Sequence, residues 1–235
     1  MNFAVAGIVW LLVFIVGAVS YMALPLYQSE DREKYQLAGR IRFLRQQIHT
    51  FFQRNNLRFL CTLLVMSSVC AFVLCVVSSA ENDILGICKW VCVMLALLSA
   101  MIIDRRTHRI PNVIVVALLV CGAMFLAAEF IISDEPAWLA LVTSLAGLFG
   151  CVVVFYVLSR LTKDGIGMGD VKIIAAMGGI LGLMTTFFVV LISLIFCTLT
   201  AVALLIVKKK NKSDSIPFGP FLFFGYIVTL LIFYL

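Results

Sequence analysis

The sequence predicts an all-α fold, a polytopic membrane helix bundle of about eight transmembrane helices, on three observations. The chain is 63% apolar and only 13% charged, with a mean hydropathy of +1.13, whereas a globular domain carries about 25% charged residues. Apolar runs long enough to cross a bilayer, about 20 residues each, follow one another along the 235 residues with short polar breaks between them. Basic residues collect in alternate breaks, as they do in loops that share one side of a membrane. Little chain remains between crossings, so no second soluble domain of ordinary size fits. A disordered tail, a secreted disulfide scaffold and a free nucleic-acid-binding domain are excluded by the same composition.

The first run, Phe3 to Tyr27, lacks a basic leading region and exceeds the apolar core of a signal peptide, so it reads as a retained span. Gln28–Asn56 is the largest extramembrane piece. In it Leu37, Ile41, Leu44, Ile48, Phe51 and Phe52 recur at helical spacing among Arg40, Arg42 and Arg45. That pattern suits either a basic amphipathic helix on an anionic leaflet or a solvated connector. Residues 1–56 are therefore a first span with a short basic segment, and residues 57–235 a membrane-embedded core. Within the core, apolar runs cover Leu57–Ala80, Ile87–Ile103, Val113–Ile132 and Ala137–Leu161. The run from Val171 to Val207 is too long for one crossing and is interrupted near Gly178, Gly179 and Gly182, which divides it into a short span and a full one. Ile216–Leu235 is the last.

Alternation of eight spans puts the breaks after the first, third, fifth and seventh on one side. Those breaks and their borders hold all but one of the 18 basic residues; Lys89 is the exception. The opposite side carries Glu81, Asp83, Asp134 and Glu135. The positive-inside rule makes the basic side cytoplasmic and places both termini outside. Topology thus accounts for the charge of +6, nothing resembles a base-reading element, and the expected surroundings are membrane lipid rather than nucleic acid. Of eight cysteines, Cys61, Cys70, Cys75, Cys92, Cys121, Cys151 and Cys197 lie in apolar runs and Cys88 at the edge of one, with no C-x-x-C. They read as small apolar packing residues, and imply no zinc site and no particular redox compartment.

A carboxylate at membrane depth costs about 2.5–3.5 kcal/mol at a helix centre on insertion scales, so it asks for a functional reason. Glu129 lies near the outer end of its span, where it reads as interfacial. Asp104 and Asp170 differ. Asp104 closes the third span in Ile103-Asp104-Arg105-Arg106-Thr107-His108-Arg109-Ile110-Pro111-Asn112, and Asp170 opens the sixth in Gly165-Ile166-Gly167-Met168-Gly169-Asp170-Val171-Lys172. Span parity brings both to the cytoplasmic boundary. Two carboxyls that meet there supply an aspartyl hydrolase, one accepting a proton from water while the other donates. Gly165, Gly167 and Gly169 permit a close backbone approach to Asp170. Opposed helix ends, the amino end at Asp170 and the carboxyl end at Asp104, would leave the shared proton on Asp104.

The order Asp104 to Ile110-Pro111-Asn112, then Gly167-Met168-Gly169-Asp170-Val171-Lys172, then Ile216-Pro217-Phe218-Gly219-Pro220 resembles the type IV prepilin peptidases, membrane aspartyl proteases of the G-x-G-D group. The resemblance runs from about Val91 to Leu235. It implies an aspartic endopeptidase in the bacterial inner (plasma) membrane that removes the short basic leader of prepilins or pseudopilins at the cytoplasmic face. It implies Asp104 and Asp170 as the catalytic pair, with Pro111, Gly167, Gly169, Lys172, Pro217, Phe218, Gly219 and Pro220 binding substrate or shaping the site, and it implies neither a metal nor an organic cofactor. Phe14–Ser20 is similar to the family's amino-terminal region. The chain departs from bifunctional members in Gln28–Asn56, which has no cysteine, so the zinc-binding insert is missing and methyltransferase activity is not carried over.

Blander readings stand beside these. Lys172 suits a snorkelling interfacial lysine, His108 an ordinary loop residue rather than a proton shuttle, and Pro217–Pro220 a helix start as well as a cleft wall. Other G-x-G-D proteases, a transporter using its carboxylates as ion ligands, and an inactive scaffold are the alternative functions. The substrate's identity and the oligomeric state are not legible.

Overall fold

With no water to satisfy peptide groups inside a bilayer, an apolar run of this length folds as a helix. The computed structural model describes residues 11, 13–18, 84–132, 137–161, 167–207 and 216–234. The chain divides into two units, Met1–Cys75 and Val76–Leu235. In the first unit residues 13–18 are helical, inside the expected first span. The expected span Leu57–Ala80 and the segment Gln28–Asn56 lie outside the described residues.

The second unit contributes α1 (Ile84–Thr107), α2 (Asn112–Ile132), α3 (Ala137–Leu161), α4 (Met168–Leu181), α5 (Leu183–Ile206) and α6 (Gly219–Tyr234). The described residues are helical and contain no strand. Each expected span from the third onward has its helix. Four are long and apolar enough to cross a membrane: Ile84–Arg105, Asn112–Ile132, Trp138–Leu161 and Leu183–Ile206. The two others are shorter, 14 residues for α4 and 16 for α6.

Burial separates the helices by role. Along α1, Trp90, Val93, Met94, Leu97, Leu98 and Met101 recur every three or four residues and are buried, the spacing of one helix face. This face packs on α6, where the Tyr226 hydroxyl donates to the Trp90 carbonyl at 2.6 Å and Trp90 Nε1 donates to the Tyr234 hydroxyl at 2.9 Å. Helix α4 is central. Val171, Ile173, Ile174, Ala175, Ala176, Met177 and Ile180 are buried on all sides, as expected of a helix that is apolar all round. It packs most extensively on α3, then on α2 and α5, and only sparsely on α1. The outer helices α2, α3 and α5 expose Val116, Val120, Met124, Phe149, Val153, Leu199 and Val202, surfaces suited to lipid.

Two glycines expected to interrupt the long run do not. Gly178 and Gly179 continue α4, and the break falls at Gly182 alone, at φ 82°, a conformation that a side chain disfavours. Gly178 has another function. A Cβ there would lie 2.5 Å from the Gly147 carbonyl oxygen, and one on Gly147 would overlap the Gly178 carbonyl. The backbones of α3 and α4 touch, the small-residue contact by which membrane helices gain packing. Glu129 is more than interfacial: its Oε1 bonds Lys89 Nζ across the α1–α2 interface, with both side chains largely buried. This pairing explains how Lys89 is tolerated away from the basic side.

Two outcomes test this packing. Gly178→Leu should destabilise the protein by at least about 2 kcal/mol, because overpacking a tight contact moves backbone; thermal unfolding in detergent measures it. Lys89→Met or Glu129→Gln should each cost about 1–3 kcal/mol by leaving one charge unpaired. The exchanged pair K89E/E129K should recover most of that loss in the same measurement.

Candidate active site

Asp104 continues the buried stripe of α1, one turn beyond Met101, and is only 5% exposed. A carboxylate in such a place needs donors from the protein. The Gly219 amide, in the first turn of α6, donates to Asp104 Oδ2 at 2.8 Å. A helix start is a natural partner for an anion, since its first N–H groups have no partner within the helix. The fit requires glycine, for a Cβ at 219 would lie 3.0 Å from both Cβ and Oδ2 of Asp104. Pro217 precedes this start and Pro220 sits in the first turn, where the missing proline N–H costs nothing. Pro217, Phe218 and Pro220 are half-buried beside it.

Beyond Asp104 the chain turns. The His108 amide donates to the Asp104 carbonyl at 2.9 Å, and His108 has φ 51°. It takes the left-handed position that often ends a helix and usually belongs to glycine. The Thr107 hydroxyl lies 2.9 Å from the Ile103 carbonyl and 3.0 Å from that of Arg109, bracing the turn. The imidazole is exposed and within electrostatic reach of Asp104, so His108 both caps α1 and borders the carboxylate.

Asp170 enters on α4. Gly167 caps this helix with extended backbone (φ −63°, ψ 140°), and its carbonyl accepts from the Asp170 and Val171 amides at 3.0 and 3.2 Å. A Cβ on Gly167 would lie 3.1 Å from Asp170 Oδ2, and one on Gly169 would lie 3.2 Å from Ile110 Cβ. The alternate glycines thus leave room on one side for the carboxylate and on the other for the turn between α1 and α2. Asp104 and Asp170, 66 positions apart in sequence, lie within electrostatic reach of each other, at the sparse seam between α1 and α4.

The other expected site residues fall around this pair. Pro111 is half-buried just before α2. Lys172 is exposed and points across to α2, where its Nζ donates to Asn112 Oδ1 at 3.3 Å. Residues two apart on a helix face different ways, so Lys172 joins two motifs without turning towards the carboxylate seam. The start of α6 at Asp104 acts against the carboxyl end of α1. Ile110 and Asn112 belong to a quoted motif, but the sequence gives neither of them, nor Cys197, a role at the site. Cys197 reads there as packing, yet it lies within electrostatic reach of Asp170; only the pairing of α5 with α4 reveals it. Among the described residues, no three His, Cys, Asp or Glu side chains group as metal ligands would.

An integral membrane helix bundle with two carboxylates drawn together at one end defines the class. Comparison with known proteins shows what the chain is similar to. Residues 91–202 match the type IV leader peptidase family, Peptidase_A24. A "Prepilin leader peptidase/N-methyltransferase" of Aeromonas salmonicida is 29% identical over 130 residues, which cover 55% of this chain and 44% of that protein. The proteins of the same name from Legionella pneumophila and Bacillus subtilis are 28% and 30% identical over 134 and 131 residues, 57% and 54% of this chain and 46% and 49% of theirs. The chain spans about half the length of these curated relatives. No solved structure matches it.

Close approach at Gly219 gives a measurable coupling. Gly219→Ala should lower stability by about 1–2 kcal/mol through crowding of Asp104. The loss should shrink in an Asp104→Ala background, where the crowded carboxyl is gone, and a double-mutant cycle of thermal unfolding reads the difference.

Proposed function

We propose that the protein is a membrane aspartic endopeptidase that removes the basic leader of a type IV prepilin or pseudopilin-like precursor at the cytoplasmic membrane face. The observation that carries this reading is the proximity of Asp104 and Asp170 in a stretch that matches the type IV leader peptidase family. In this reading the two are the catalytic residues. The substrate's apolar helix docks among the spans and its leader stays cytoplasmic, which brings the scissile bond to the carboxylates.

Two neighbouring carboxyls hold one proton between them more readily than they hold two charges. The ionised member takes a proton from a water placed between them, and the protonated member donates to the scissile carbonyl as the water oxygen attacks. Collapse of the tetrahedral intermediate breaks the C–N bond, and the amine leaves with a proton returned from the pair. No covalent enzyme intermediate forms, so no activated serine or cysteine is called for. In the same reading Gly219 steadies Asp104, Gly167 and Gly169 clear the approach to Asp170, and Pro111, Lys172, Pro217, Phe218 and Pro220 shape the cleft.

The positive-inside distribution supports a cytoplasmic site in the plasma (inner) membrane with both termini outside. Residues 57–235 then form the protease core, and residues 1–56 add a span and a basic cytoplasmic segment. The methyltransferase half of the relatives' names is not extended to this chain, because Gln28–Asn56 has no cysteine to build the zinc-binding insert.

Cleavage of a prepilin by purified protein in liposomes tests the reading. Asp104→Asn and Asp170→Asn should each lose at least about 100-fold in rate, the lower range for a positioned acid or base, while keeping wild-type thermal unfolding. Cleavage at near wild-type rate by either folded variant would remove that carboxylate from the mechanism. An ion flux carried by the wild type without cleavage would favour a transporter.

A further inference from the structure

Helix α1 carries Asp104 but packs only sparsely on α4, which carries Asp170. Helix α2 packs on α4 more extensively, and two contacts fix how it lies there. At its start, Asn112 Oδ1 accepts from Lys172 Nζ at 3.3 Å. Further along, Gly122 meets Ile180, whose Cγ1 lies 3.1 Å from where a Cβ at 122 would be. The intervals from the first contact to the second are rises of about 15 Å on α2 and about 12 Å on α4, at 1.5 Å per residue. The two helices therefore run side by side in one direction, with their first turns level. The turn from Asp104 to Asn112 joins α1 to this seated helix, and it is held in shape. The His108 amide returns to the Asp104 carbonyl at 2.9 Å with His108 left-handed, and the Thr107 hydroxyl reaches carbonyls on both sides of the bend. Ile110 then comes down on the residue before the second carboxylate. Its Cβ lies 3.2 Å, and its amide nitrogen 3.5 Å, from where a Cβ at Gly169 would be. Ile110 and Asn112 thus touch Gly169 and Lys172, which bracket Asp170 in the chain.

We propose that Ile110 and Asn112 are positioning residues for the carboxylate pair: they seat the α1–α2 turn on both sides of Asp170 and so set its distance from Asp104. The inference rests on the peptidase reading above and deepens it, giving the spacing of the pair to residues outside the pair. Two carboxyls share a proton and hold a water between them only over a narrow range of separations. Misplacing reacting groups by about 1 Å costs on the order of 100-fold in rate. A single hydrogen bond at 3.3 Å from an exposed lysine to an exposed asparagine adds little to stability, so losing it alters the spacing more than the fold. Ile110 is half-buried and acts by volume. The absence of a side chain at Gly169 lets it sit close, and its bulk keeps the turn from moving nearer.

The test follows cleavage of a prepilin by the full chain in liposomes. Asn112→Ala should lower kcat at least fivefold with KM within twofold, since the peptide still binds and only the chemical step loses its geometry. Asn112→Asp, which still offers Lys172 an oxygen, should recover at least half of that loss. Gly169→Ala pushes the turn away and should lower kcat at least tenfold. Ile110→Gly removes the Cβ that the new methyl meets, so the double variant should regain at least threefold. The contact is also read without cleavage, because the shift in thermal unfolding caused by Gly169→Ala should shrink in the Ile110→Gly background. A folded Asn112→Ala protein with wild-type kcat would overturn the assignment, as would a rise in KM in place of the fall in kcat. Equal unfolding shifts in the two backgrounds would overturn the seating of the turn on Gly169. A wild type that cuts no precursor would instead overturn the peptidase reading, and with it any part for this turn in catalysis.

Discussion

A carboxylate held inside a membrane bundle constrains everything around it. Asp104 is buried, and water cannot supply its donors as it would at a surface. The bond from the Gly219 amide answers that need with a group that would itself be unpaired, the first N–H of a helix entering apolar surroundings. Each removes the other's desolvation cost. The bond joins residues 115 positions apart, so it also fixes where α6 begins relative to the end of α1. Proline at 217 and 220 and glycine at 219 follow from it, two residues that end or exempt backbone donation and one that leaves space for the carboxyl group.

The second carboxylate is placed by different means. Asp170 rides on a helix of only 14 residues, enclosed by neighbours and locked to α3 by the backbone contact at Gly178 and Gly147. That helix cannot slide without bringing backbone into overlap, and the Gly167 backbone hydrogen-bonds the Asp170 carboxylate, so packing and a local bond together place it. Asp104, by contrast, belongs to the block of α1 and α6 joined through Trp90, Tyr226 and Tyr234. Two well-packed blocks meet at the sparse seam between α1 and α4, one carrying Asp104 and the other Asp170, which lie within electrostatic reach of each other.

Much of this was legible in the sequence because it depends on local pattern. The apolar runs give the helices from Ile84 onward, and parity gives the meeting of Asp104 with Asp170 at one end. The stripe from Trp90 to Asp104 follows ordinary helical spacing. What was not legible depends on chain-distant neighbours. Gly178 has the form of a breaker in isolation, and only the approach of Gly147 makes it a contact. Glu129 appears interfacial until Lys89 is brought to it. Asp104 belongs to the end of one helix in sequence and to the start of another in space. Cys197 is indistinguishable by composition from Cys151, which is buried; the first reaches Asp170 because of where Gly182 turns the chain.

The unequal lengths of α4 and α5 carry a further consequence. They meet at the Gly182 turn, yet α5 has 24 residues to the 14 of α4. From the level of Asp170, α5 continues for about 18 Å at 1.5 Å per residue, to Ile206. On the other side Asp104 is three residues from the end of α1, and the chain turns at once through His108 to Pro111. The carboxylates thus lie below a tall wall, α5, and beside a low one, the α1–α2 turn. A peptide carried by a membrane helix reaches such a pair only with its flanking backbone extended, since a helix of about 10–12 Å diameter is too wide for a seam between packed neighbours. Extended backbone is also what a hydrolase requires, because a helical carbonyl is already hydrogen-bonded and shielded from water. In the peptidase reading proposed above, the substrate would be met at the level where the two carboxylates and an unwound peptide coincide.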